Sequence, residues 1–357
     1  MSISKLGGGR VAYLDTLRGF TMLLVIWHHV SDYAFGLKIE DSFLSEVMIA
    51  FRMPMFFFIS GFIAYKAIEW WNINNFITRL RKKAMVQLVP TVVFAFMGAL
   101  LLGNVKIAGL GVFFRDSFPG FWWFTVALFV MFCMYYISSI IAHYVKKWML
   151  FPLLLLCVIV LMAFKSHFQE PGFFQWLAFP GVARFFVFFV FGLFCRSFES
   201  KFFKAIENKY VITLSIIIVA VLVYLSYGAG YTISHDFMAI IRTAVGFPFI
   251  LVVFTLFYKQ QEYWANNTRL SRLMRFIGRR TLDLYMLHFF FIPYMPYLNE
   301  YLVGTNQTVI QLIVIGIITV GVTFMCLVVS MVLRSSPILS EYLFGQSGKA
   351  KNILQAK

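Results

Sequence analysis

Apolar runs of about 20 residues, separated by short charged connections, recur along almost the whole chain, and they constrain its fold more than any other feature. A run of that length crosses a bilayer as one helix. Lipid offers the backbone no hydrogen bonds, so the polypeptide must satisfy its own amides within each run. The chain is therefore expected to be an all-α membrane protein with about ten transmembrane helices. These lie near residues 15–36, 44–65, 86–103, 121–142, 149–164, 176–195, 211–228, 236–257, 276–296 and 308–333. The fifth run is short, and Pro293 and Pro296 break the ninth. Residues 1–345 read as a single membrane-embedded domain, and 346–357 as a short cytoplasmic tail. The first run is interrupted by His28 and His29 and lacks a small-residue cleavage site, so it reads as a span rather than a signal peptide. Only 13% of the 357 residues are charged, against roughly 25% in a soluble domain, which excludes an ordinary soluble fold.

The net charge of +16 would suit a nucleic-acid binder in a soluble protein. Here the basic residues crowd into alternate connections. With the N-terminus in the cytoplasm, 23 Lys and Arg lie on the inside and 4 on the outside, namely Lys38, Lys106, Arg115 and Lys165. The positive-inside rule then places both termini in the cytoplasm and requires an even number of spans. The charge is a topology signal, the bilayer is the partner it implies, and no nucleic acid is expected. Four arginines remain within spans: Arg18, Arg52, Arg184 and Arg242. Charges at membrane depth are costly, so they mark cavities, partners or ligands.

Arg18 and His29 are eleven residues apart, about three turns, so they share one helix face roughly 16 Å apart along the axis. Asp15 lies one turn below Arg18 on that face. In the second span Arg52 stands two residues before Pro54, which frees a backbone carbonyl one turn earlier. Ser60-Gly61 reads as a close-packing pair. The connection that follows carries Arg79, Arg81, Lys82 and Lys83, a topology signal that also suits a phosphate clamp. No Gly-rich phosphate loop occurs, so nucleotide hydrolysis has no support. Trp122 and Trp123 read as interfacial belt residues. Gly278–His288 places a second acid, Asp283, and a second histidine, His288, within the ninth span. The four cysteines lie in apolar runs and show no metal-binding spacing, so no metal site is expected.

Taken together, these residues resemble the acyltransferase 3 family, integral membrane enzymes that O-acylate carbohydrates and other extracytoplasmic acceptors. The resemblance rests on Arg18-x10-His29, on Arg52-Met53-Pro54-Met55-Phe56-Phe57-Phe58-Ile59-Ser60-Gly61, and on the basic connection ending at Pro90. Trp122-Trp123-Phe124 and Tyr285-Met286-Leu287-His288 add to it. It covers about residues 10–335. The chain departs from the common pattern by duplicating the histidine at His28 and by carrying no fused hydrolase-like domain.

The resemblance implies transfer of an acyl group, acetyl above all, from cytoplasmic acyl-coenzyme A to a hydroxyl of an extracytoplasmic sugar or polysaccharide. His29 would be the general base, since a hydroxyl needs one to attack a thioester and imidazole titrates near neutral pH. Arg18 would serve the donor, and Arg52 would stabilise the oxyanion or align the donor. Arg79, Arg81, Lys82 and Lys83 would bind the phosphates of coenzyme A. Asp15, His28, Asp283, Tyr285 and His288 are candidates for support. No tightly bound cofactor is expected. The setting implied is a bacterial plasma membrane, with polysaccharide-synthesis proteins as partners. The other reading is a multi-span transporter or flippase for an anionic solute or glycolipid, in which the arginines bind the solute. No internal repeat supports it.

Overall fold

The computed structural model describes residues 11–37, 43–101, 120–164, 167–169, 172–227, 235–304 and 308–345. Lys38, Lys106, Arg115 and Lys165, the segment with Lys5 and Arg10, and the tail beyond Gly345 lie outside them. The described residues contain helices and no strand. In chain order the principal helices are α1 (Ala12–His29), α2 (Phe43–Ala64), α3 (Ile73–Leu101), α4 (Trp123–Tyr144) and α5 (Leu150–Ala163). They continue with α6 (Phe179–Ser197), α7 (Glu199–Glu207), α8 (Lys209–Tyr227), α9 (His235–Lys259), α10 (Arg269–Arg279) and α11 (Thr281–Leu287). The last two are α12 (Thr308–Ser335) and α13 (Pro337–Phe344).

Among the described residues six helices are long and apolar enough to cross a membrane: α2, α3, α4, α6, α9 and α12. The bent pair α7–α8, which turns through 75°, makes a seventh if it counts as one span. α12 shows why such helices belong in lipid. Val309, Ile317 and Val320 are exposed, whereas Gln311, Thr319, Thr323 and Ser330 are buried. A soluble helix has the reverse pattern. The expected first span is present as α1, whose polar residues lower its hydropathy, and the fifth is a shorter apolar helix. The expected ninth span is not one helix. α10 ends at Arg279, α11 is a separate short helix, and a 3-10 turn at His288–Phe290 leads into extended chain before Pro296. Pro293 and Pro296 lack the amides that a continuing helix would need.

The helices fall into two compact groups. The first contains Met1–Ile63, Phe191–Leu284 and Phe291–Leu327. Its tightest crossing joins α1 to α10 through two glycines. A Cβ on Gly19 would come 2.5 Å from the carbonyl oxygen of Met274, and one on Gly278 would enter the shell of the Asp15 carbonyl. Only residues without a side chain let these backbones meet so closely. Aromatic rings fill the remainder, with Tyr13, Phe58, Phe62, Phe202 and Phe254 in edge and tilted contacts. At one end Met295 donates its amide to the Ala34 carbonyl at 2.7 Å, and the Asn299 amide group donates to the Phe35 carbonyl at 2.8 Å.

The second group contains Ala64–Val190, Tyr285–Phe290 and Val328–Lys357. Here α3 and α4 run antiparallel. The Lys83 ammonium sits 3.6 Å from the Phe132 ring centroid, the Thr91 and Thr125 hydroxyls meet at 2.5 Å, and Gly98 gives room to the Trp122 indole. Trp122 is thus buried rather than part of an interfacial belt, and its Nε1 donates to the Met286 carbonyl at 3.3 Å.

Candidate active site

The eleven-residue interval between Arg18 and His29 lies within one uninterrupted helix, so the two side chains keep the common face that the spacing implies. Val11 begins α1 without a side-chain cap, and the helix ends by widening into a π-helical turn over Val30–Ala34. Such turns are rare and concentrate at functional sites, because the extra residue re-aims neighbouring side chains. His29 is the last α-helical residue. Its ring centroid lies 5.4 Å from that of His28 and 5.8 Å from that of Tyr33. Tyr33 and Asp32 are exposed, while both histidines are half-buried.

Arg52 is the most buried of the four span arginines, at 7% exposure. It lies on α2 just before Pro54, and its positive charge bears on both His28 and Asp32. The first group therefore brings Arg52 to the His28–Asp32 end of α1. Asp32 was visible three residues after His29, but local sequence gives no sign that an arginine of the next helix approaches it. Arg18 reaches in another direction: its Nη2 donates to the Thr281 hydroxyl at 3.0 Å. Asp15 is buried, and its backbone carbonyl faces Gly278. Asp283 is fully buried, with its carboxylate 3.6 Å from the Arg280 guanidinium. Arg242 is half-buried, and Arg184 lies exposed over the Phe185 ring at 5.3 Å. Arg184 is thus a surface residue rather than part of a buried polar site.

The basic cluster sits in the second group, on the first turns of α3. Arg79 stacks its guanidinium on Trp70 at 4.9 Å, and Lys83 lies over Phe132. Arg81 and Lys82 are exposed. The neighbouring 3-10 turn Ile68–Trp70 is tied to the connection before α5 by the Glu69–Lys147 ion pair at 2.7 Å. The bonded Lys147 ammonium holds the Glu69 carboxyl below its usual range. Tyr285 braces the start of α4, donating its hydroxyl to the Phe121 carbonyl at 3.0 Å and accepting from the Phe124 amide at 3.2 Å. His288 is buried, with its ring centroid 4.1 Å from that of Phe289 and 5.9 Å from that of Tyr285. These two residues support the packing of the tryptophan motif.

The Arg52 charge thus bears on the end of α1 that carries His28 and His29, and the basic residues of α3 lie in the second group. The family model for the acyltransferase 3 domain, described as an acyltransferase domain, matches residues 11–328. The chain belongs to the acyltransferase 3 family. No curated protein and no solved structure matches it. Within the acyltransferase 3 family the chain is an acyl-group transferase, and its apolar helices make it a multi-pass membrane protein. The matched segment contains both the α1 end with Arg52 and the basic start of α3.

Proposed function

We propose that this acyltransferase moves an acyl group, acetyl in the simplest case, from cytoplasmic acyl-coenzyme A to a hydroxyl of an extracytoplasmic sugar or polysaccharide. Its setting is a bacterial plasma membrane, with ten spans and both termini in the cytoplasm. The observation that carries the reading is the end of α1, where His29 closes a regular helix from Arg18 and the buried Arg52 charge bears on the same end.

In this reading His29 takes the proton from the acceptor hydroxyl as its oxygen attacks the thioester carbonyl. The new C–O bond forms while the carbonyl oxygen becomes an oxyanion, which the Arg52 guanidinium stabilises. The C–S bond then breaks, and coenzyme A leaves as a thiolate that recovers the proton from the imidazolium. Asp32 and Tyr33 flank His29 on the acceptor side. Arg18 is held by Thr281 and serves the donor end of the helix. Arg81 and Lys82, exposed on α3, bind the coenzyme A phosphates with Arg79 and Lys83 beside them. His28 supports the fold around the base, and Asp15 and Asp283 support it nearer the Arg18 end of α1.

Thioester consumption tests the reading. Membranes carrying the protein, given acetyl-coenzyme A and surface polysaccharide, release free coenzyme A above the level of membranes without it. Joint replacement of Arg79, Arg81 and Lys82 by Ala weakens donor binding, because each charge-assisted phosphate contact contributes about 1.5–3 kcal/mol. No excess release of coenzyme A, with solute movement instead, would establish a transporter.

A further inference from the structure

In the turn that follows His29, Val30, Ala34, Phe35 and Leu37 are buried, and the side chains that point outward are Asp32 and Tyr33. A second run of exposed, polar-tipped side chains lies between Pro293 and Gly304. Leu302 is buried there, whereas Tyr294, Tyr297, Glu300 and Tyr301 are exposed, Tyr294 at 81% and Tyr297 at 74%. Both stretches belong to the first group of helices.

Hydrogen bonds join the two stretches. The Met295 amide donates to the Ala34 carbonyl at 2.7 Å, and the Asn299 side chain donates to the Phe35 carbonyl at 2.8 Å. Tyr33 precedes one bonded residue and Tyr294 precedes the other, so the reach of the chain keeps their Cα atoms within about 15 Å. The Gln311 side chain of α12 donates to the Leu302 carbonyl at 3.1 Å, and Pro293 and Pro296 each fix a φ angle. The tyrosines thus stand on a braced frame, which lowers the cost of ordering them around a ligand. His29 lies at its edge, with its ring centroid 5.8 Å from that of Tyr33.

Tyrosine is ordinary at a membrane interface, where its ring meets lipid and its hydroxyl meets water. The charge here favours a different occupant. Residues 30–37 and 291–304 contain Asp32 and Glu300 and no Lys or Arg, so this surface disfavours phosphate headgroups and anionic solutes. A sugar matches it on both counts. Its hydroxyls donate to carboxylates, and the C–H bonds on one face of its ring rest on the electron-rich face of an aromatic side chain. We propose that Tyr33, Tyr294 and Tyr297, with the carboxylates of Asp32 and Glu300, form the platform that holds the carbohydrate acceptor beside His29. The inference rests on the acyl-transfer reading above and names the residues that hold its acceptor.

The test measures transfer by the full-length protein in nanodiscs, with acetyl-coenzyme A as donor and surface polysaccharide from the source cells as acceptor. Tyr294→Ala together with Tyr297→Ala is expected to raise KM for the polysaccharide about tenfold and to leave KM for acetyl-coenzyme A unchanged. Tyr294→Trp together with Tyr297→Trp keeps the ring faces and restores the acceptor KM. Either single Ala variant serves if the double variant does not accumulate. An unchanged polysaccharide KM overturns the platform and leaves the donor reading intact, as does an equal rise for both substrates. Transfer by the wild type only to a non-carbohydrate hydroxyl, such as a serine peptide, overturns it as well. A wild-type protein that releases no coenzyme A with any acceptor overturns the acyl-transfer reading itself.

Discussion

His28 and His29 are separated by about 100° around α1, and only His29 shares the face of Arg18. The helix is regular between Arg18 and His29, so the eleven-residue interval returns almost to register, and the π-helical turn begins only after it. His29→Ala is expected to reduce transfer by roughly 10²–10⁴-fold, the usual cost of losing a general base. Donor affinity and protein level persist, and His28→Ala has the smaller effect. Rates from both variants, with coenzyme A binding as the control, decide the matter. An active His29 variant beside a dead His28 variant moves the base by one residue. This much of the site was legible, because helix geometry alone connects Arg18 to His29. The partner of Arg18 was not. Thr281 lies 263 residues away, and no local pattern announces a contact that only the crossing of α1 with α10 creates.

At the scale of elements, the α1–α10 crossing depends on glycine backbones in contact. Gly19 follows Arg18 and Gly278 opens the ninth-span motif, and nothing in the sequence signals that they meet. Gly278→Ala places a methyl group against the backbone carbonyl of Asp15, an atom that no rotamer change can move. Overpacking of that kind typically costs about 1–3 kcal/mol. A clear fall in melting temperature is therefore expected, together with lost activity as the Arg18 end of α1 shifts. Gly316, inside α12, has open space around its Cβ position. Gly316→Ala is expected to leave stability unchanged or raise it by up to about 1 kcal/mol, since alanine restricts the unfolded chain. Thermal unfolding of the two variants separates them, and equal effects would mean that the close crossing contributes nothing. The long apolar helices were readable from hydropathy. The breaks at Arg280 and after Leu287 were only partly so, since the prolines lie several residues beyond the point where the helix stops.

For the whole molecule the question is which ends of the helices lie on which side of the membrane. The 23-to-4 division of basic residues is the ground for expecting alternate connections in the cytoplasm. Contacts within each group agree with that alternation. Glu69 pairs with Lys147 at 2.7 Å, joining two connections assigned to the inside. The Tyr258 hydroxyl donates to Glu207 at 2.9 Å, joining two more. The Met295 amide bonds to the Ala34 carbonyl, joining two ends assigned to the outside. A single misplaced span from the second to the ninth would put at least one of these pairs on opposite faces, whereas the first and tenth are not tested by them. Single cysteines placed near Lys146 and Lys204, both exposed, are therefore expected to resist an impermeant maleimide in intact cells and to react once the membrane is opened. Cysteines near Lys38 and Gly304 are expected to react from outside. The decisive site is the connection from Lys66 to Lys83, because acyl-coenzyme A is confined to the cytoplasm. Labelling of a cysteine at Lys82 from outside would remove the donor from its proposed site as well as reversing the topology, since Arg81 and Lys82 have no phosphate to bind on that face.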